Sequence, residues 1–120
     1  MKRKHHDLVV WQQAIALVKK VYALTRDFPP QEMYGLTSQM RRAAISVPAN
    51  IAEGVGRAGH KDRLHFLNIA RASLNELDTF IVLAQELGYA KDTGEPQELV
   101  DRVFALLSGL TEAERRKIST

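Results

Sequence analysis

The chain contains no cysteine. Disulfides, thiolate-bound metals and cysteine nucleophiles are therefore excluded, and a reducing compartment suits it. No apolar stretch approaches the ~20 residues needed to cross a bilayer. The basic start MKRKHHD is not followed by an uninterrupted apolar segment. Residues 8–18 include Gln12 and Gln13 and offer no small-residue cleavage site, which argues against a signal peptide. The alternation that marks a half-buried strand is not sustained anywhere, and internal repeats and low-complexity tracts are absent. The expectation is a soluble, cytoplasmic, all-α protein with no membrane partner.

Helical periodicity is what remains. The 120 residues fit one domain, 1–120, in a size range that buries roughly two-thirds of the unfolded surface. Residues 1–7 are expected to form a basic, mobile arm and residues 116–120 a frayed tail. Charge is uneven. Residues 1–60 carry nine Lys/Arg against four Asp/Glu, and residues 61–120 carry eight against ten, giving +5 and −2. Such asymmetry permits a basic face toward phosphate, and it is equally what ordinary scatter over a solvated surface gives.

Four segments have a helical period. In the first, from Val10 to Arg26, Trp11, Ile15, Val18 and Tyr22 make one apolar stripe. Val10, Ala14, Leu17, Val21 and Leu24 make another beside it, so the face is wider than one helix contact requires. Phe28–Pro30 stops it, because a residue before proline is pushed out of the α region. The second runs from Gln31 to Arg57, with Leu36, Met40, Ala43, Val47, Ile51 and Gly54 at steps of four and three. Pro48 presses on the Ala44 carbonyl, so a bend is predicted there with the helix continuing, since the apolar phase holds on both sides. The alternative is two shorter helices broken at Pro48.

The third segment, Lys61 to Leu87, holds Leu67, Ala70, Leu74, Leu77, Ile81 and Ala84 on one seam. Gly88 fits the left-handed position after a helix end, with Tyr89 folding back. In the fourth, Glu95 to Arg115, Leu99, Val103, Phe104, Leu107 and Leu110 are expected to face inward, and Pro96 suits a first turn. Short connections make neighbours antiparallel, so the predicted architecture is an up-down antiparallel four-helix bundle, its second helix kinked near Pro48.

GVGRAG at Gly54–Gly59 matches the dinucleotide pattern G-x-G-x-x-G. That fingerprint works only between a strand and a helix. Here a helix precedes it, so it reads as a tight helix–helix turn and no cofactor is expected. Gln39, Arg42, Ser46, Asn50, Glu53 and Arg57 share one side of the second helix, and Glu76 sits on an otherwise apolar flank of the third. A buried carboxylate needs a partner. A polar seam is therefore expected, with Arg41 or Arg42 pairing with Glu76 or Glu53 between helices, since arginine's planar fork suits that contact. The alternatives are full solvation, or a site with Glu53 as base, which lacks an accompanying nucleophile or ligand set. His60 and His65 are five apart, the wrong spacing for one helical face, and His5 and His6 lie in the arm, so no metal site is expected. Candidate phosphate contacts are Lys2, Arg3, Lys4, Lys19, Lys20, Arg41, Arg57, Lys61 and Arg63, with Arg115, Arg116 and Lys117 adding a C-terminal cluster. Few aromatics are interleaved with them, so no base-stacking platform is evident.

LVVWQQAIALVKKVYALTRDFP, YGLTSQMRRAAISVPANIAEGVGR and FLNIARASLNELDTFIVLAQELGY resemble the four-helix bundle proteins associated with 23S ribosomal RNA intervening sequences. Residues matching the family's motifs are Trp11, Tyr34, Gly35, Leu36, Gln39, Arg41, Arg42, Ser46, Pro48, Asn50, Glu53, Gly54, Glu76 and Gly88. The resemblance implies a compact bundle that assembles into a homopentamer, with no established enzymatic activity. It also implies a distant relation to accessory proteins of diversity-generating retroelements, which bind nucleic acid and a reverse transcriptase. The acidic second half departs from a uniformly basic pore. The expected function is a non-catalytic homo-oligomeric scaffold binding RNA or DNA through basic clusters. The alternative is a protein–protein adaptor for an RNA-processing or reverse-transcription enzyme, without direct nucleic-acid contact. The double apolar stripe of the first helix independently suggests self-association.

Overall fold

The computed structural model describes residues 2–119. Met1 and Thr120, the ends of the expected arm and tail, lie outside the described residues. Four helices follow one another: α1 (Val9–Thr25), α2 (Leu36–Val55), α3 (His60–Glu86) and α4 (Gly94–Ser119), with short 3-10 turns at Lys4–Asp7 and Pro30–Glu32. Each packs on the next, α4 closes against α1, and the diagonal pairs do not approach each other. Cross-helix pairs give the directions. Gln13 meets Arg102, while Lys20 meets Glu95, so α1 and α4 are antiparallel. Ser46 meets Ser73 on α2 and α3, and His60 meets Glu114 on α3 and α4.

The core is the set of seams that periodicity marks. Ala14, Leu17 and Val21 of α1, Met40, Ala44, Val47 and Ile51 of α2, and Leu74, Leu77 and Ile81 of α3 are fully buried. In α4 the innermost residues are Val100, Val103 and Leu107, with Leu99, Phe104 and Leu110 only half-buried beside them. The face there is turned by one residue from the expected one. Only one of the two α1 stripes is buried; Ile15 and Tyr22 of the other remain exposed.

α2 runs through Pro48 as one helix, which excludes two separate segments. It starts at Leu36 rather than Gln31. Pro30–Glu32 turns the chain, and the Glu32 carboxylate then accepts the Leu36 N–H at 3.2 Å, satisfying one of the orphan donors of the first turn. The other Glu32 oxygen accepts the Tyr89 hydroxyl at 2.9 Å. Gly88 has φ +77°, and the Tyr89 N–H donates back to the Ala84 carbonyl at 2.9 Å. This left-handed stop swings Tyr89 against Phe28, ring centres 5.6 Å apart. The α3–α4 connection is thereby pinned to the start of α2.

Both ends of the described chain have regular structure. Within the expected basic arm, Lys4–Asp7 forms a turn in which His5 meets Trp11 edge-on and His6 meets it tilted, ring centres 5.1 and 5.2 Å apart, and Gln12 donates to the His6 carbonyl. At the other end α4 continues through the expected tail to Ser119. Residues 111–119 contain no glycine or proline, and Arg115 and Arg116 pair with Glu112 along the helix at 2.8 and 3.8 Å.

α2 and α3 are in close contact at Gly54, where an added Cβ would stand 3.1 Å from the Arg63 carbonyl and 3.3 Å from Leu67. Gly54→Leu should therefore cost about 1–3 kcal/mol through overpacking, read as a lowered midpoint in urea. The hydrogen bond to Glu32, then desolvation and the Glu32 charge, raises the Tyr89 phenol above its ordinary value. A raised phenol contributes stability that is present below the ordinary tyrosine range of about 10 and is lost as pH climbs past it. Difference titration against Tyr89→Phe should place this phenol's midpoint above the ordinary tyrosine value, and Glu32→Gln should lower it.

Candidate nucleic-acid interface

Antiparallel packing sorts the charged side chains by end. One end gathers the N-terminal turn, the last turn of α2, the first turn of α3 and the last turns of α4. It brings together Lys2, Arg3, Lys4, Arg57, Lys61, Arg63, Arg115, Arg116 and Lys117, nine basic residues against five acidic ones, Asp7, Glu53, Asp62, Glu112 and Glu114. These basic residues come from three stretches far apart in sequence. The opposite end is balanced, and it holds the remaining candidates. Lys20 pairs with Glu95 there, Lys19 is exposed, and Arg41 lies over the Tyr22 ring at 4.6 Å. Three of the nine expected phosphate contacts are therefore not part of the basic end.

Local pairing decides which cations of that end remain available. Lys2 binds Asp7 at 2.9 Å. Arg57 lies between Glu53 and Asp62 at 3.4 and 3.6 Å, with its guanidinium 4.5 Å from the Phe66 ring centre. Arg63 turns inward. Arg3, Lys4 and Lys61 are exposed and form no ion pair among the described residues. They are the groups most free to exchange counterions for phosphate.

The polar seam forms only in its middle. Asn50 donates to the Ser46 carbonyl and hydroxyl at 2.9 and 3.0 Å, and the Ser46 hydroxyl bonds that of Ser73 on α3 at 2.8 Å. The expected pairing of Arg41 or Arg42 with Glu76 or Glu53 is corrected. The Arg41 Nε donates to the Thr25 hydroxyl at 2.9 Å, and Glu53 is taken by Arg57. Arg42 and Glu76 line an open polar cleft with Gln39, Ser46 and Ser73, and neither has an ion-pair partner among the described residues. Both are solvated, so neither requires compensation.

The buried carboxylate lies elsewhere. Glu114 on α4 keeps 2 % of its side chain exposed. One oxygen meets His60 Nδ1 at 2.6 Å and the other Arg63 Nε at 3.3 Å, an ion pair outside hydrogen-bond geometry with the nitrogen shielded from water. A signal for it exists in the sequence. Val100, Val103, Leu107, Thr111 and Glu114 follow steps of three and four, so Glu114 continues the buried seam. GVGRAG proves to be the end of α2, a turn and the cap of α3, with no strand among the described residues. Among those residues no group of three His, Asp or Glu could hold a metal ion, and no helix is long and apolar enough to cross a membrane.

Two lateral surfaces stand out. Tyr22, Met33, Tyr34 and Ile45 are exposed in one hollow between α1 and α2 beside Arg41 and Arg42, with Tyr34 96 % exposed. Val82, Leu83 and Leu87 are exposed on the outward side of α3, together with Glu76 and Glu86. The first surface is apolar and basic, the second apolar and acidic.

The model of the 23S rRNA-intervening sequence protein family matches residues 6–116. A crystal structure of a protein of unknown function from the S23 ribosomal protein family of Bacteroides thetaiotaomicron superposes with a TM-score of 0.63. The two are 20% identical over 93% of this chain and 100% of that one, a likeness of fold. No curated protein matches the chain.

Glu114→Ala should cost about 3–5 kcal/mol, the range for removing one partner of a buried pair, because it leaves the Arg63 guanidinium without its counter-charge. Glu76→Ala, at a solvated position, should stay within about 0.5 kcal/mol of the parent chain in the same denaturation assay.

Proposed function

The chain belongs to the 23S rRNA-intervening sequence protein family, and from that premise we propose that it is a non-catalytic homo-oligomeric scaffold that holds RNA or DNA at one basic end of the bundle. The observation that carries this reading is the convergence of three separate basic stretches at that end, with Arg3, Lys4 and Lys61 exposed and unpaired among the described residues. Charges placed in this way neutralise phosphate without reading sequence.

Self-association is supported by the two lateral surfaces. Buried against water, an exposed Tyr34, Met33 and Ile45 would gain hydrophobic free energy. The α3 surface of a second copy offers matching apolar side chains and the carboxylates of Glu76 and Glu86 toward Arg41 and Arg42. Unlike surfaces that complement each other join copies head to tail, and such contacts form a ring when the rotation between copies closes. A ring of five, as the sequence resemblance implies, is the assembly proposed. It repeats the basic end five times around one axis, so weak phosphate contacts add.

Each half of this has its own test. In fluorescence anisotropy, affinity for single-stranded RNA should drop steeply between about 50 and about 200 mM salt. Replacing Arg3, Lys4 and Lys61 by alanine should reduce the slope of log affinity against log salt by about 2, at ~0.7 per lost contact. An oligomer that retains no RNA at low salt would instead support the adaptor reading. Ile45→Asp and Leu83→Lys should each give a monomer in light scattering. Mixed together they should give a dimer and nothing larger, since one good surface remains on each. A mixture that stays monomeric sinks the head-to-tail contact.

A further inference from the structure

Glu114 is an acidic residue buried at a basic end, and that combination needs a reason. By charge alone it should weaken any phosphate contact made there. Its geometry gives it another role. Both of its oxygens are held by residues from the first turn of α3, His60 at 2.6 Å and Arg63 at 3.3 Å. With Glu114 opposite the first residue of α3, residues 115–119 extend beyond the start of that helix. Glu114 is the last buried residue of α4 before this overhang, and Arg115, Arg116 and Lys117 follow it directly. Arg115, Arg116 and Lys117 are exposed, and Ile118 keeps 37 % of its surface accessible.

We infer that Glu114 is a positioning residue of the nucleic-acid interface: its buried carboxylate seats the end of α4 on the first turn of α3, and this seat keeps the Arg115–Lys117 stretch beside Lys61. An acidic side chain is thus required for binding a polyanion. The inference rests on the reading of the basic end given above and adds to it a residue of the wrong sign.

The signs of the effects separate positioning from charge. Glu112 is exposed and pairs only along its own helix, so Glu112→Gln removes a negative charge without touching the seat. It should leave RNA affinity unchanged or raise it. Glu114→Gln removes the same charge but should lower affinity about tenfold and reduce the salt slope by about 1, the loss of one to two phosphate contacts. His60→Ala keeps the carboxylate and removes one of its donors. It should lower affinity in the same direction, which guards against a Glu114 variant that fails to fold. Circular dichroism checks that helicity is retained, and a change in salt slope is not expected from lowered stability alone. Glu114→Gln binding as tightly as the parent chain, or more tightly, overturns the proposal. Amide exchange supplies the second readout. Glu114→Gln should speed exchange in residues 111–119 while leaving α1 and α2 unchanged, and unaltered exchange there overturns the seat. If the parent chain binds no RNA at all, the basic-end reading fails, while the seat is still decided by exchange.

Discussion

Gly56 to Gly59, four residues between α2 and α3, leave the chain no room to do anything but reverse. The reversal is tight enough that the two helices nearly touch at Gly54, where the Arg63 carbonyl and Leu67 occupy the space of a side chain. Close approach of this kind is possible because Gly54 carries no side chain. It also brings Ser46 within 2.8 Å of Ser73, so that hydroxyls which would be stranded in a wider interface satisfy each other. With α2 and α3 fixed in this way, the other two helices have one groove each to fill. The Tyr89–Glu32 hydrogen bond, reaching from the end of α3 to the start of α2, closes the opposite end.

The distribution of charge follows from the same reversals. Residues near position 3, position 61 and position 116 share no local sequence context, yet four antiparallel passes return them to one end. Basic residues in the middle of the first half, Lys20 and Arg41, are carried to the other end, where Glu95 and the Tyr22 ring receive them. Net charge alone would not separate these groups. Topology does, and it makes the basic end a property of the fold rather than of any one segment.

How much of this was legible beforehand varied with the physics involved. The seam of α3 was, residue by residue, and that of α2 from Met40 onward, with Leu36 only partly buried, because a buried stripe has a period and the period survives without any knowledge of neighbours. Gly88 and Tyr89 were, because a left-handed stop has a chemical signature. The start of α2 was not, since it depends on a Glu32 carboxylate capping the helix from a preceding turn. The polar seam was half legible. Ser46 and Asn50 bond locally, but the partner of Arg41 had to come from α1, and no spacing within α2 announces Thr25. Glu114 was not legible, because the buried stripe of α4 reaches it through a second polar residue, Thr111, so hydrophobicity alone does not carry the period that far. The contacts of His5 and His6 with Trp11 were not legible for a related reason, since they are aromatic ring contacts and not a hydrogen-bonding pattern.

Those contacts have a practical side. Trp11 is the only indole in the chain, and its ring is in contact with His5 and His6. Indole emission is sensitive to polarity and to adjacent imidazole. The intrinsic fluorescence of the molecule therefore reports on the seating of four residues, Lys4 to Asp7, with no contribution from any second tryptophan. The first basic stretch carries its own optical gauge, built from native side chains and readable without a label.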